Sequence, residues 1–569
     1  MATYDLLLKQ GTVVDGTGAP RFQADIGIKD GKIVKIGDIT EDATELVDAA
    51  GMIVAPGFVD HHTHYDAQIF RDPTCADGGQ NGVTTVVMTN CGFGFAPCRT
   101  EHQERYMIMM ENVEQIPISH QKASLPWDWQ SFPEFLTSLR STDKAVNAMA
   151  YVPLNALLIF VMGIDAAKSR PATESEMAEI KQLLNEAMDA GALGFSCSYL
   201  EENNVHLDFD GSPMPCDVMD VDQLCEIGMV LKDRGDGIIQ CLSGVPGMDD
   251  TIRASEQLAR ATGRPVFHNL IPTNDEVPVH KSGLSWLDSM REEGLDMWAA
   301  SFCHRIWTEI SLDTLTLFDS DDTFRELSYA PSNAKRLELL RDPVFRQRLR
   351  DAYDPIKFIA VGADLDRFVA VSVADSAEHK DVEGRILGEV AKETGMNIVD
   401  LFAELLLSSN GAAVLRSPFA TASNPTILRE IFMHERMIPG GSDGGAHLKI
   451  FSAGHWGTDF LVNLVRDQEI ITLEEAHQKM SGLPMEVFGI ADRGTIKEGM
   501  AADILVYDLD KLYSDTDAFR RAYDLPDNDW RKQVRAGGYD LVCVNGAITF
   551  RDGEHTGECP GKVVSQATG

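Results

Sequence analysis

Eight short apolar runs, separated by longer stretches of helical pattern, constrain the fold of this 569-residue chain more than any other feature. The runs lie at residues 53–60, 84–89, 148–153, 192–196, 237–242, 265–270, 296–301 and 437–442. Helical patches lie between several of them, as at residues 174–188 and 222–232. Alternating strands and helices are typical of a parallel sheet, so eight strands predict an α/β protein with a (β/α)8 TIM-like barrel. In such a barrel, catalytic groups lie at the carboxyl ends of the strands.

Both ends of the chain differ from the middle and consist of short alternating strands and tight turns. Asp30-Gly31 and Asn545-Gly546 are hairpin signals between such strands. We therefore predict one small β domain assembled from residues 1–57 and 489–569. The barrel then takes residues 58–488 and carries a mostly helical insertion around residues 305–435, between the seventh and eighth strands.

Composition limits the partners that we expect. The chain has 50 Lys and Arg against 88 Asp and Glu, a net charge of -38. Nucleic acids and anionic membranes attract basic surfaces, so we expect neither as a partner. The first residues lack the basic and apolar stretches of a signal peptide, and the ten cysteines are scattered along the chain. Reduced cysteines and a cytoplasmic location are the corresponding predictions.

Two histidines follow directly on the first apolar run. In an extended segment the side chains of residues i and i+2 point to the same side, so His62 and His64 can reach one metal ion. His61 points the other way. Histidines of a surface loop are the alternative interpretation, and the position at the end of the first predicted barrel strand favours the metal site.

Asp443 follows the last apolar run and opens a glycine-rich turn. A carboxylate there can ligate a metal and take a proton from a metal-bound water. An Asp at this position is otherwise an ordinary turn residue. Its pairing with the histidines of the first strand is what makes it a candidate catalytic residue.

Several motifs, in one order along nearly the whole chain, resemble a known family. They are PGFVDHHTH at 56–64, GVTTVVMTNCG at 82–92, GALGFS at 191–196, SDGGAH at 442–447, DRGTIKEGMAAD at 492–503 and the closing segment at 544–561. The chain resembles the amidohydrolase superfamily and, within it, a longer divergent member of the N-acyl-D-amino-acid deacylases, or D-aminoacylases. The resemblance implies a metal-bearing barrel with a β-sandwich made from both ends of the chain.

The resemblance also implies roles for individual residues. His62 and His64 match the metal ligands of the first strand, and Asp443 matches the ligand and general base of the last strand. Cys91 matches the cysteine that this branch uses as a metal ligand at the second strand. A thiolate is a good zinc ligand, and the predicted cofactor is a divalent metal, Zn²⁺ by this donor set, as one ion or two.

The chain departs from the family pattern at the fifth and sixth strands. The family's histidine at the fifth strand is missing, and only Gln240 or Cys241 stands there. At the sixth strand His268 is the candidate metal ligand, in different surroundings from those of the family. The arginine and lysine that bind the substrate carboxylate in the family are missing as well, so the number of ions and the choice of substrate stay open.

Three further residues are candidates for contact with a small-molecule substrate. Arg305, after the seventh strand, matches a carboxylate with two parallel hydrogen bonds, although a surface ion pair is an equal alternative. His447 is a candidate for polarising the scissile carbonyl. His206 is a candidate for contact with substrate or metal, and a hydrogen-bonded loop histidine is the alternative.

Three functions fit the sequence. The first is an N-acyl amino acid deacylase that cleaves a carbon–nitrogen bond other than a peptide bond. The second is a hydrolase of the same superfamily that acts on a cyclic amide, a lactone or another amide. The third is a non-catalytic barrel that acts as a scaffold. The resemblance also leaves a homo-oligomer open, because large barrels of this family often assemble.

Overall fold

A computed structural model describes residues 2–566 except residues 76, 202, 203, 205, 248, 249, 358–361, 375 and 377. Its centre is a ring of eight parallel strands: Phe58–Asp60, Val83–Met88, Asn147–Ala150 continued by Val152–Pro153, Gly194–Tyr199, Ile238–Ser243, Val266–Asn269, Met297–Ser301 and Met437–Pro439. A parallel bridge between Thr63 and Gly444 joins the first strand to the last and closes the ring. The predicted (β/α)8 barrel is confirmed.

Helices surround the barrel, in positions that the sequence pattern explains. They are Gln103–Val113, Ile118–Ser124, Phe132–Ser141, Leu154–Met162, Ile164–Ser169, Glu174–Asp189, Pro215–Val218, Val221–Arg234, Arg253–Thr262, Val279–Glu292, Pro425–Phe432, Trp456–Phe460, Leu473–His477 and Leu483–Val487, with π-helical turns at Leu461–Asp467 and Gln478–Gly482. Glu174–Asp189 begins with a capping box between Thr173 and Glu176, and its buried positions recur every three or four residues, with Ala187 and Met188 adjacent. None of the helices in the described ranges has the length and apolar character needed to span a bilayer.

Strands from both ends of the chain share one nine-stranded sheet. Its members are Tyr4–Val13, Phe22–Lys29, Lys32–Gly37, Ala43–Asp48, Ile53–Pro56, Ile504–Tyr507, Tyr539–Val544, Ala547–Arg551 and Glu554–His555. Ile53–Pro56 pairs antiparallel with Ile504–Tyr507 and so joins the two ends. The turns at Asp30-Gly31 and Asn545-Gly546 have positive φ angles at both residues, as tight hairpins require. Tyr513–Ala522 and Arg531–Gly537 form a separate two-stranded sheet.

The segment between the seventh and eighth barrel strands forms a layer with its own apolar core. Its helices are Asp322–Ser328, Asn333–Arg341, Pro343–Ala352, Leu387–Thr394 and Ile398–Ser408. Phe318, Phe324 and Phe402 pack together in the core of this layer. The short strands Glu309–Ile310, Val369–Ser372 and Val414–Arg416 add a three-stranded sheet that the helical pattern did not predict.

Candidate metal centre

The last barrel strand and the first are held together by the main chain at the point where their candidate ligands lie. The backbone N–H of Asp443 donates to the carbonyl of His62 at 3.0 Å, and that of His64 donates to the carbonyl of Gly444 at 2.7 Å. As a result Asp443 Oδ1 lies 3.2 Å from His62 Nε2 and 3.5 Å from His64 Nε2. Both imidazoles therefore face one carboxylate, as the spacing in the sequence predicts.

Burial and ion contacts act in opposite directions on Asp443. Desolvation raises the pKa of its side chain, but the contacts with His62 and His64 outweigh this and hold the pKa well below its usual range. Burial also lowers the pKa of His64. At neutral pH the group thus offers an ionised carboxylate and an imidazole that is unprotonated at one nitrogen, and these are the forms that bind a metal ion.

Cys91 joins this group from the end of the second barrel strand. Its Sγ lies 3.3 Å from His62 Nε2, and the candidate ligand atoms of Cys91, His62 and His64 all lie within 4.8 Å of one another. Its backbone N–H donates to Gln240 Oε1 at 2.7 Å, which fixes the residue in a left-handed conformation with φ 57. Burial raises the pKa of the thiol well above its usual range, so a thiolate at this position requires a cation beside it.

These distances fit a metal ion. Nitrogen, oxygen and sulfur ligands that surround zinc tetrahedrally lie about 3.3–3.7 Å from one another. The separations of His62 from Cys91 and Asp443, at 3.3 and 3.2 Å, are close to that range. The residues present therefore suit a zinc-like ion, with His62, His64, Cys91 and Asp443 as its donors.

His268 does not fit as a ligand, because its side chain leaves the sixth strand on the side away from this group. Its ring packs 5.1 Å from that of Trp286, on the surrounding helix, and its Nδ1 lies 3.3 Å from Ser243 Oγ. Successive side chains of a strand point to opposite faces. The next residue, Asn269, therefore faces the metal centre, and its amide contacts His62 Nδ1.

Arg305 does not fit as a group that binds a substrate carboxylate. Its Nη2 donates to Asp459 Oδ1 at 2.6 Å and its backbone N–H donates to Asp459 Oδ2 at 2.7 Å. Asp459 is fully buried, and neither residue of this ion pair lines the cavity. The guanidinium is thus already paired with a carboxylate of the protein itself.

The two other candidate histidines both line the cavity above the metal centre. His447 Nε2 lies 3.8 Å from Asp443 Oδ2, and the ring of His206 packs edge-on against Phe93 with centroids 5.8 Å apart. Burial lowers the pKa of His447 to about 4 and that of His206 to about 3. Both rings are therefore neutral at pH 7 and each keeps one N–H and one lone pair.

Glu114 is a residue of the site that the sequence did not indicate. It follows the helix Gln103–Val113 and is 1% exposed, and its Oε2 lies 3.6 Å from both His64 Nε2 and His447 Nε2. Burial and the nearby charge of Asp443 raise its pKa well above the usual range. A Glu at the end of an amphipathic helix is usually a surface residue, so nothing in the local sequence identifies Glu114 as part of the site.

A cavity of about 530 Å³ opens above these residues, between the barrel mouth and the layer that precedes the eighth strand. Much of its wall is apolar, including Val113, Trp307, Leu317 and Phe451. Among the described residues that line it, Lys357 is the one Lys or Arg, and its Nζ donates to Asp321 Oδ2 at 2.8 Å. Over the residues that the structure describes, the cavity thus offers hydrophobic contact and no unpaired guanidinium or ammonium group.

Comparisons with known proteins show the family and the fold. The model of the amidohydrolase family matches residues 45–342. A D-aminoacylase of Alcaligenes xylosoxydans xylosoxydans is 28% identical over 99% of this chain and 98% of its own. Among solved structures, a D-aminoacylase described for its binuclear metal center has a TM-score of 0.66 at 23% identity, over 99% of this chain and 100% of its own.

An N-acyl-D-glutamate deacylase of Bordetella bronchiseptica, solved with zinc and a phosphonate inhibitor, has the same TM-score at 24% identity and covers 99% of both chains. The resemblance found in the sequence motifs is thereby confirmed. The chain belongs to the amidohydrolase family, aligns with the D-aminoacylase branch over nearly its whole length, and is a hydrolase of carbon–nitrogen bonds other than peptide bonds.

Proposed function

We propose that this protein is a metal-dependent deacylase that hydrolyses the amide bond of N-acylated small molecules, with N-acyl amino acids as the first substrate class. The observation that carries the proposal is the cluster of His62, His64, Cys91 and Asp443, three of which (His62, Cys91 and Asp443) line the cavity. Its full-length relatives include enzymes named D-aminoacylase, N-acyl-D-aspartate deacylase and N-acyl-D-glutamate deacylase.

The chemistry follows from the positions of the side chains. A divalent ion held by His62, His64, Cys91 and Asp443 would polarise the scissile carbonyl and would lower the pKa of a water molecule to about 7. Asp443 contacts both histidines through Oδ1, whereas Oδ2 faces the cavity side near His447. We assign Oδ2 as the base that takes a proton from water during attack and returns it to the leaving nitrogen. The products are a carboxylate and a free amine.

His206 is the group that we assign to the substrate carbonyl. Its neutral ring lines the cavity and carries one N–H, which suits hydrogen bonding to an oxygen on which negative charge develops. The apolar wall formed by Val113, Leu317 and Phe451 suits a hydrophobic acyl group or side chain. We therefore expect substrates with a large apolar part.

A second candidate function is hydrolysis of an uncharged amide. The pairing of Arg305 with Asp459 and of Lys357 with Asp321 favours it, because a buried substrate carboxylate needs a free cationic partner. In this case the released amine carries no carboxylate, and the protein differs in substrate from its named relatives.

Matched substrates test the two candidates. N-acetyl-D-phenylalanine and its L enantiomer are compared with N-acetyl-2-phenylethylamine, which lacks only the carboxylate, and amine release gives kcat/KM. Faster hydrolysis of either acetyl amino acid supports the deacylase, and a preference of tenfold or more for the neutral compound supports the second candidate. Cyclic amides and lactones complete the panel. If the protein hydrolyses none of these compounds and its stability does not change when a chelator is added, the third function, a non-catalytic scaffold, is supported.

The variant Asp443→Asn tests the mechanism. We expect turnover to fall by at least about 10³-fold with the fold unchanged, because an amide cannot take the proton from water. Circular dichroism and the melting temperature report the fold, and Asp492→Asn, at an exposed aspartate outside the cavity, is the matched control. Full activity of Asp443→Asn removes this residue from the mechanism.

Two expectations from the sequence accompany this proposal. We place the protein in the cytoplasm, acting on a small molecule and on neither nucleic acid nor membrane. We also propose that the protein has two domains, formed by residues 1–57 with 489–569 and by residues 58–488. The proposal is compatible with an assembly of several copies.

A further inference from the structure

The apolar wall of the cavity extends from the metal centre to the surface. Its members are Val113, Trp307, Leu317, Ile356, Ile450 and Phe451. At the inner end of the wall, the ring of Phe451 packs 5.1 Å from that of His447. At the outer end, Ile356 is 50% exposed. A ligand that lies along this wall therefore has one end beside the metal centre and the other end near solvent.

Several polar side chains that line the same cavity are already bonded within the protein. Gln115 Nε2 donates to Thr316 Oγ1 at 2.8 Å, and Thr308 Oγ1 donates to Ser417 Oγ at 3.1 Å. The ammonium group of Lys357 forms the ion pair described above. A polar ligand group beside them would have to displace these bonds in order to form its own, so this part of the cavity favours contact with hydrocarbon.

The scissile amide divides a substrate into an acyl part and an amine part, and the two differ in polarity. In an N-acyl amino acid the amine part carries a carboxylate, whereas the acyl part can consist of hydrocarbon. A carboxylate buried against the apolar wall would need a cationic partner. Among the described residues that line the cavity, the one Lys or Arg is already paired. The acyl part is therefore the part that fits this wall.

The size of the cavity favours a long acyl group over a short one. Its volume is about 530 Å³, of which an acetyl group fills only a small part. With such a group bound, most of the apolar wall stays in contact with water. A flexible chain can run along the wall from the carbonyl at the metal centre to the exposed end at Ile356, and each methylene on this path leaves water.

We propose that the apolar wall binds a medium- or long-chain fatty acyl group, so that the substrates are amines or amino acids that carry such a chain on nitrogen. This inference rests on the deacylase proposed above and specifies its substrate class. Leu317 and Ile356, which belong to the layer before the eighth barrel strand, are then residues that determine specificity. Hydrolysis breaks the amide bond and releases a fatty acid and an amine, with water as the second reactant.

A series of chain lengths tests the proposal in the reaction itself. Acyl groups from acetyl to decanoyl are placed on 2-phenylethylamine and on D- and L-phenylalanine, and kcat/KM is measured below the concentrations at which the substrates form micelles. Each methylene that leaves water raises kcat/KM by up to about fourfold, so we expect a rise of at least about 100-fold over the series. In the mirror series of N-acetylalkylamines, where the chain is on the amine, we expect a change of less than about tenfold.

The variant Leu317→Gln tests where the chain lies. Leu317 and Leu339 are both partly buried against the apolar core of the layer, but of the two only Leu317 lines the cavity. We expect the ratio of kcat/KM for decanoyl over acetyl substrates to fall at least about tenfold in Leu317→Gln and to stay within about twofold in the control Leu339→Gln. Ile356→Asn is a second route, in case circular dichroism shows that Leu317→Gln does not fold. Its control is Ile386→Asn, at another exposed isoleucine of the layer.

Binding of reaction products tests the proposal without hydrolysis. Decanoate and butyrate share the carboxylate and differ in the chain, so isothermal titration calorimetry of the zinc-loaded protein compares the chains alone. We expect decanoate to bind at least about tenfold more tightly than butyrate, and Leu317→Gln to remove most of this difference.

Two outcomes overturn the proposal. One is a kcat/KM that stays constant across the acyl series while the amides are hydrolysed, and the other is a gain with chain length that is the same in Leu317→Gln, Ile356→Asn and the unaltered chain. Either result leaves the proposed deacylase standing. Conversely, the protein can hydrolyse no amide and still bind decanoate more tightly than butyrate, with the difference lost in Leu317→Gln. That result removes the proposed function and supports the site for an acyl chain.

Discussion

The two ring nitrogens of His62 have different neighbours. Its Nε2 faces Cys91 and Asp443, and its Nδ1 meets the side-chain amide of Asn269. The atom of Asn269 that contacts Nδ1 is the amide nitrogen Nδ2, and the amide oxygen Oδ1 has no hydrogen-bond partner. A metal-binding Nε2 carries a lone pair and leaves the proton on Nδ1, so with a metal bound we expect the amide to turn over and accept this proton through Oδ1. Asn269 thus holds the ring in the tautomer and orientation that a metal ion needs.

We therefore expect Asn269→Leu to weaken metal binding by about 10–100-fold, the range seen when such supporting groups are lost. Asn269→Asp keeps an acceptor at the same position and serves as the rescue variant. Competition with a coloured chelator measures the affinity. Equal affinity in Asn269→Leu and the unaltered chain would show that this contact does not support the site.

The site was predictable from sequence where it depends on strand ends and not where it depends on contacts across the fold. His62, His64 and Asp443 follow directly on strands, so the barrel brings them together. The choice of His268 was one residue out of register, which in a strand turns the side chain to the opposite face. The ion pair of Arg305 with Asp459 could not be predicted, because the two residues lie 154 positions apart in the sequence.

At the scale of elements, the turn after the last barrel strand is built around glycine. Gly445 has φ 93, and a Cβ on it would lie 2.6 Å from the backbone carbonyl oxygen of His64. The turn approaches the first strand so closely because Asp443 and Gly444 form backbone hydrogen bonds with His62 and His64. A side chain at this position would push the two halves of the metal centre apart.

We therefore expect Gly445→Ala to lower the free energy of unfolding by more than the backbone strain alone accounts for. Gly499→Ala is a matched control, because Gly499 also has φ 93 but has nothing within 4 Å of its added Cβ. We expect the control to lose about 1 kcal/mol of unfolding free energy, and Gly445→Ala to lose at least about 2 kcal/mol more and to bind metal weakly. Denaturant unfolding and metal titration measure both, and equal losses in the two variants contradict the role of close approach.

His477 connects a barrel helix to the sheet built from both chain ends. Its Nε2 lies 2.7 Å from the hydroxyl of Tyr507, and its ring stacks on Phe58 with centroids 5.6 Å apart. Burial lowers its pKa to about 3, below the value of about 6.5 for an unfolded chain. Between these pH values His477 is protonated in the unfolded state and neutral in the folded state. Its contribution to the free energy of unfolding is therefore present above about pH 6.5 and is lost as the pH falls.

We predict that His477→Gln destabilises the fold less at acidic pH than at neutral pH. The stability difference between the unaltered chain and this variant should shrink by about 2 kcal/mol between about pH 7.5 and about pH 5, since each unit below the unfolded pKa costs about 1.4 kcal/mol. Denaturant unfolding at the two pH values measures it. The half-exposed His555, replaced by Gln, is the control, and a difference that stays constant or grows on acidification refutes the prediction.

The elements themselves were predictable to different degrees. All eight barrel strands were identified, because buried parallel strands are continuous apolar runs between turn residues. The strands Glu309–Ile310 and Val414–Arg416 were not, because two or three residues are too few to show an alternating pattern. They acquire their pairing from the layer around them.

The whole molecule carries a net charge of -38, and this charge acts on any charged substrate that approaches it. A carboxylate is repelled during encounter, and salt screens the repulsion. We predict that kcat/KM for an N-acyl amino acid rises when ionic strength increases from about 20 mM to about 200 mM, while that for N-acetyl-2-phenylethylamine stays constant. Initial rates at low substrate concentration measure both, and a parallel response of the two compounds argues against steering by the net charge.

The pairing of Ile53–Pro56 with Ile504–Tyr507 has a consequence for how the protein is made. The two strands lie about 450 residues apart, and the first of them leads within a few residues into His62 and His64. During translation this strand leaves the ribosome long before its partner exists, and its open edge is a site for wrong pairing. The candidate ligands His62 and His64 thus reach their final anchorage late in synthesis, and we expect a nascent chain stalled before residue 504 to be prone to aggregation.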